Sequence, residues 1–193
     1  MKLTIDDIAD QRAYERERES FRAHIIELKK QRRVSVGPFV SVVFENRDTI
    51  RFQIQEMARA ERILTDDGIQ AELDTYNPLI PENGSLSATL FIELTSKDEL
   101  MEWLPKLVGI ERAVQLRIDD DVVAATPDPE HERQLTRETI TASVHYVHFE
   151  LSPAQIQRFA DARVRIEVAH ENYAYATELS KPAKDSLLSD LSQ

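Results

Sequence analysis

Five histidines and no cysteine set the range of side-chain chemistry open to this sequence. His145 and His148 lie in TASVHYVHFEL, and His170, followed by Glu171, ends the segment VRIEVAH. Residues three apart on a strand point to opposite faces, so His145 and His148 cannot chelate one ion, whereas His148 and Glu150 share a face. If the two segments pair, His170 completes a His148, Glu150, His170 set suited to zinc or non-haem iron. A surface histidine and a hydrogen-bonded strand-end histidine are the simpler reading. In HENYAYA, His170 is a candidate acid or base with Asn172 or Tyr173 as partner. The plainer alternative is a turn with Tyr173 packed on the core. Asp119, Asp120 and Asp121 lack the turn glycine and distal glutamate of a calcium loop and read as a hairpin turn.

The second candidate is ENRDTIRFQIQEMARAERI, residues 45–63. On a helix, Arg51, Gln55, Arg59 and Arg62 recur at three- and four-residue spacing and form a row able to grip a carboxylate or phosphate. Asp48 before Arg51 and Glu56 before Arg59 offer a plainer account, surface pairs worth a few tenths of a kcal/mol each.

Positioning these residues requires an α+β chain. AYERERESFRAHIIELKKQRR has a helical period, with Tyr14, Phe21, Ile25 and Leu28 on one stripe. Thr4 and Asp7 suit a helix start, so a long N-terminal helical region is expected over about 4–33. Residues 39–44 alternate as a strand. Ile50, Phe52 and Ile54 continue that alternation, yet Ile50, Ile54, Met57 and Leu64 fit a helix capped by Asp48, so 49–55 stay open between strand and helix. A helix is expected over GIQAELDTY, and NPLIP stops it. Strands follow at LSATLFIEL, AVQLRI, VVAA, TASVHYVHFEL and VRIEVAH. DELMEWLPKLVG and SPAQIQRFADA are helices, the latter with Ser152 as N-cap and Pro153 at N1. The expected fold is one domain over 1–193, with an antiparallel or mixed sheet of about five or six strands packed with helices. A linker is expected at about 126–137 and a weak C-terminal helix at about 181–193.

The totals narrow the function. Without cysteine there is no disulfide, iron–sulfur ligation or thiol catalysis. A formal charge of −11 repels phosphate backbones and disfavours nucleic acid. No run reaches the roughly 20 apolar residues of a membrane helix and the N-terminus has no apolar signal core, so a cytoplasmic location is expected. Only four glycines are present, with no GxGxxG, GxxxxGK[ST] or GxSxG, which argues against Rossmann, P-loop and α/β-hydrolase folds.

FENRDTIRFQIQEMARAERI, ELDTYNPLIP and LSATLFIEL, taken in order, resemble the signature of a bacterial family, domain of unknown function 3501. VRIEVAHENY is similar to that family's valine-rich strand followed by His-Pro-x-Tyr, with Glu171 where proline is usual. The resemblance picks out Glu45, Asn46, Arg47, Asp48, Gln53, Gln55, Glu56, Arg59, Glu61 and Arg62, then Tyr76, Asn77 and Pro78, then His170 and Tyr173. It implies no reaction and no cofactor. By association it implies a redox or stress setting, with a rubrerythrin-like or iron–sulfur oxidoreductase partner. The expected function is a non-enzymatic accessory or binding module acting through residues 45–78, docking on a partner or on itself. The alternative is a metal- or cofactor-dependent enzyme, or a small-anion-binding protein, built on His170 and the arginine row. On either reading the charged side chains after Phe44 are expected to turn inward around one concavity shared with the loop after Ala169.

Overall fold

The computed structural model describes residues 1–129 and 139–192. The chain opens with a single 3-10 turn, Ile5–Asp7, closed by a capping box between Thr4 and Asp7. Helix α1, Gln11–Arg32, starts afresh with Asp10 as its N-cap. The expected N-terminal helical region is therefore broken at residues 8–10. Strand β1, Arg33–Ser35, and strand β2, Val40–Glu45, follow. Residues 49–55 belong to helix α2, Arg47–Glu61, and its cap is Asn46 rather than Asp48. The Asn46 side chain accepts from the Thr49 amide at 3.0 Å, and the Thr49 hydroxyl accepts from the Asn46 amide at 2.9 Å. Those paired bonds settle the helix start and override the alternation of Ile50, Phe52 and Ile54.

Helix α3 spans Asp66–Tyr76, strand β3 Ser85–Ile92 and helix α4 Lys97–Lys106. Next come β4, Val114–Ile118, β5, Asp121–Ala124, β6, Thr126–Pro127, and β7, Val144–Glu150. Helix α5, Pro153–Phe159, carries Ser152 as its N-cap. Strands β8, Val164–His170, and β9, Tyr173–Glu178, lead to helix α6, Lys181–Leu191. Within the expected linker at 126–137, β6 pairs with β7 and the Asp128 amide bonds the Tyr146 carbonyl at 2.9 Å, and residues 130–137 lie outside the described residues. No helix among the described residues is long and apolar enough to cross a membrane.

The strands form two antiparallel sheets where one sheet of five or six strands was expected. The first has the order β1-β2-β3-β7-β6 and the second β5-β4-β8-β9. One face of each sheet meets the other: Val42, Phe44, Leu90 and Phe149 share a core with Leu116 and Ile166. Leu187 and Leu191 of α6 join that core. The opposite face of the first sheet lies under a helical layer, whose own apolar cluster includes Leu3, Ile50, Ile54, Leu73 and Leu79.

Arg32 ties these layers together. It is the last residue of α1 and only 1% exposed. Its Nε donates to the Phe44 carbonyl at 2.8 Å and one terminal nitrogen to the Glu45 carbonyl at 3.0 Å. The guanidinium also bonds the Ser186 hydroxyl at 3.0 Å and pairs with Asp190 of α6. Burial pushes the Asp190 carboxyl above the usual carboxylate range, against the pull of Arg32. Removing one partner of a buried ion pair strands the other, so Arg32→Met is predicted to cost roughly 3–5 kcal/mol in urea denaturation. Arg32→Met combined with Asp190→Leu should regain much of that loss. A single variant within about 1 kcal/mol of wild type would refute this bracing role.

Candidate functional site

Most of the arginine row is occupied by the chain's own N-terminal arm. Arg47 pairs with Asp7 at 2.5 Å. Arg51 donates from Nε to the Asp7 carbonyl at 2.8 Å, pairs with Glu17 at 2.8 Å, and lies 4.7 Å from the centroid of Phe21. Gln55 grips the backbone of Ala9 from both sides, accepting its amide at 2.8 Å and donating to its carbonyl at 3.1 Å. Arg59 pairs with Glu15 at 2.8 Å. Glu56 takes a two-pronged contact from Arg18, at 2.8 and 2.9 Å, and the Tyr14 hydroxyl at 2.8 Å. From the other side, Asn77 holds the Leu3 amide and carbonyl, each at 2.9 Å. Arg62 leaves the row altogether, since it is the left-handed residue that ends α2 (φ 57°). These side chains form a clamp on residues 3–18.

The loop after Ala169 lies away from the clamp. His170 contacts the Val108 carbonyl through Nε2 at 3.1 Å, and its Nδ1 accepts the Asn172 amide at 3.2 Å. Both ring nitrogens are therefore committed, with the proton on Nε2. Glu171 and Asn172 form the hairpin turn between β8 and β9, and His170 and Tyr173 pair across it. The Tyr173 hydroxyl donates to the Val36 carbonyl at 2.7 Å and accepts the Phe39 and Val40 amides at 3.3 and 3.2 Å. It pins the Val36–Val40 turn, where Gly37 has φ 80° and any Cβ would stand 2.5 Å from that hydroxyl oxygen. Tyr173 thus meets β2 at Val40, whereas the clamp begins past Glu45, about 17 Å along the strand. The expected meeting of His170 and Tyr173 with the arginine row does not occur.

Nor does the metal set assemble. Strands β7 and β8 belong to different sheets, so His148 and Glu150 never pair with His170. Among the described residues no group of three His, Asp or Glu side chains could hold a metal ion. His145 points into the core and contacts the Thr141 hydroxyl at 2.8 Å and the Ala142 carbonyl at 3.0 Å. His148 points to the opposite face, 3.6 Å from Asp128. Glu150 is exposed at the strand end.

The motif residues that the clamp leaves over converge elsewhere. Beneath α2, the first sheet buries a polar face. Glu45, Ser87 and His148 stand in one cross-strand row, and Val43, Thr89 and Tyr146 in the next. The Thr89 hydroxyl donates to Glu45 Oε1 at 2.6 Å. Ser87 is buried with no hydrogen-bond partner for its hydroxyl among the described residues. Over this floor, Gln53 of α2 bonds Tyr76 at the end of α3. Together with Phe91, Leu79 and Lys29 they enclose a cavity of about 220 Å³. Burial raises the Tyr76 phenol, and it raises that of Tyr146 to about 12, with help from the charges of Tyr76 and Glu45. Sequence reasoning missed Thr89, Phe91, Tyr146 and Lys29. The available signal was a strand whose second face carries Ser87, Thr89 and Phe91 although that face, too, is covered.

Two clamp carboxyls are held below the usual carboxylate range: Glu56 chiefly by its bond from Arg18, and Asp7 chiefly by the Thr4 amide, then by Arg47. A depressed carboxyl contributes stability that is fully present above its unfolded-state pKa and is lost as pH falls through the folded one. The clamp is therefore predicted to loosen below about pH 4. Hydrogen exchange in residues 1–9, corrected for intrinsic rate, should rise there while β2 and β3 stay protected. Asp7→Asn should remove much of that pH dependence. An arm that exchanges alike at pH 3 and pH 7 in wild type would count against the clamp.

Comparison with known proteins identifies the family. A solved structure titled as a novel protein of unknown function, from Burkholderia pseudomallei K96243, is 39% identical, with a TM-score of 0.91 over 99% of this chain and 100% of that one. No curated protein matches. Residues 2–191 match the family described as "Protein of unknown function (DUF3501)". With essentially its whole length inside that match, the chain belongs to the DUF3501 family.

Proposed function

We propose that this protein is a binding module, and that its site is the cavity between the polar face of the first sheet and helices α2 and α3. One observation carries the reading: Glu45, Gln53 and Tyr76, three motif residues that the N-terminal clamp does not use, line the same cavity. Burying hydroxyls and a carboxylate on a sheet face costs stability unless they are paired, and an apolar face would have packed there more cheaply. Retaining polar groups at such a place is understandable when a ligand pairs them. The alternative site at His170 and the arginine row has less support, because the imidazole nitrogens and the guanidinium groups of Arg47, Arg51 and Arg59 already have partners.

The cavity reading is tested by two-dimensional NMR of methyl-labelled protein against a library of small polar compounds. Shifts should cluster at Ile50, Leu79 and Val144, and Tyr146→Trp, which fills the space, should abolish them while the melting temperature holds within a few degrees. Shifts confined to other surfaces would sink the reading.

A second reading keeps the docking role and the redox or stress setting that the resemblance implies. It is favoured by a groove between α1, α2 and the start of β1, where Arg22, Lys30 and Arg33 rim Ile26 and Phe52 in a chain of net charge −11, with Lys30 paired to Glu27 and Arg33 to Glu93 at its edge. An acidic surface on a rubrerythrin-like or iron–sulfur oxidoreductase partner, or on a second copy, complements that rim. Light scattering and titration with such a partner should show a complex that weakens with salt and is lost in Arg22→Glu/Lys30→Glu. A complex that the double variant leaves unchanged would remove this face from consideration.

A further inference from the structure

The cavity's own chemistry narrows what it takes, if the reading of it as the binding site holds. Glu45 is 6% exposed, and its carboxylate has one hydrogen bond, from Thr89, and no ion pair within 4 Å among the described residues. A carboxylate held this deep with no cation in direct contact is costly, and a cation that enters the cavity offsets it. Three aromatic rings, Tyr76, Phe91 and Tyr146, line the same space. Thr89 is directly opposite Tyr146, and Phe91 opposite Val144, so Phe91 and Tyr146 are diagonal neighbours on one face, about 7–8 Å apart at the backbone. Aromatic rings beside a buried carboxylate attract a diffuse organic cation, as Phe91 already does for the Arg33 guanidinium, 5.3 Å from its ring centroid. A hard metal ion calls for six or more oxygen ligands instead, and one carboxylate does not supply them.

Two further observations set the rest of the molecule. The cavity, about 220 Å³, has room for a small organic molecule with a methylated ammonium head and a short tail. Lys29 also lines it, and a bare cation would meet like charge there. A carboxylate tail turns that repulsion into attraction. We infer that the ligand is a betaine-type zwitterion, its methylated ammonium head against Glu45 and the rings of Tyr76, Phe91 and Tyr146, its carboxylate at Lys29.

Isothermal titration of the full chain tests this with three probes: glycine betaine, its uncharged-head isostere 3,3-dimethylbutanoate, and choline, which keeps the head and lacks the carboxylate. Glycine betaine should bind saturably, and 3,3-dimethylbutanoate and choline each at least tenfold more weakly. Glu45→Gln keeps the acceptor for Thr89, so it should fold as wild type and lose at least tenfold in betaine affinity. Tyr146→Leu should lose binding that Tyr146→Phe retains, and Lys29→Met should remove the preference for betaine over choline. Equal affinity for betaine and its isostere, unchanged affinity in Glu45→Gln, or choline binding as tightly as betaine overturns the inference. If betaine fails while other compounds still shift the Leu79 and Val144 methyls, the ligand class is wrong and the cavity remains the site. If nothing shifts those methyls, both readings fall.

Discussion

The buried guanidinium of Arg32 is the interaction on which the other layers depend. It sits where α1 gives way to β1, and its donors go to the last two carbonyls of β2 and to Asp190 and Ser186 of α6. Phe44 and Glu45 are the residues at which the shared core of the two sheets ends and the polar cavity begins. One side chain therefore fixes the depth of β2 relative to α1 and to the C-terminal helix. A lysine offers a single charged point and could not reach these acceptors together, whereas the planar fork of arginine can. The cost of desolvating such a charge is large, so its place is secure only because each donor direction is met.

That bracing has a consequence for the sheet above it. A half-covered antiparallel sheet normally shows one apolar and one wet face. The first sheet has its apolar face against the second sheet, yet its polar face is covered as well. Ser41, Glu45, Ser87 and Thr89 are all buried, although their alternation with Val42, Phe44, Leu86 and Leu90 marks them as the water side. The helical layer thus closes over groups that would otherwise be solvated, and packing leaves a lined hollow where they meet.

This arrangement explains how much could be read from the sequence. The long helix, the strand at 85–92 and the β4–β5 hairpin carry their period openly, and local caps such as Ser152 mark their ends. Residues 49–55 did not, because Ile50, Phe52 and Ile54 fit both periods, and the deciding bonds come from Asn46 and Thr49. Strand β9 was hidden because YAYATE shows no apolar–polar alternation and only Tyr173 of the strand is buried. The position of His170 was illegible for a different reason: it depends on which of two sheets β8 joins, a choice made by contacts more than 40 residues apart. Acidic residues of the arm were visible, but not that Asp7, Glu15 and Glu17 would answer Arg47, Arg59 and Arg51. The family resemblance picked out Glu45, Gln53, Gln55 and Arg59 together, without separating those that hold the arm from those that line the cavity.

Helix geometry supplies that separation. At about 100° per residue, Arg47, Arg51, Gln55 and Arg59 advance by about 40° a step and occupy one third of the circumference of α2. Gln53 lies about 200° from Arg51 and Thr49 about 160°, on the far side, where both line the cavity. The same helix is therefore gripped on its outer face by the N-terminal arm and turned with its inner face onto the cavity. Exposed ion pairs contribute little each, but Gln55 on Ala9 and Asn77 on Leu3 fix backbone, and backbone bonds hold position better than charges on long side chains. Both anchor points flank the cavity roof: Gln55 is two residues from Gln53, and Asn77 directly follows Tyr76. A polar motif that looks like one cluster in the sequence is thus divided into two, a brace outside and a lining within.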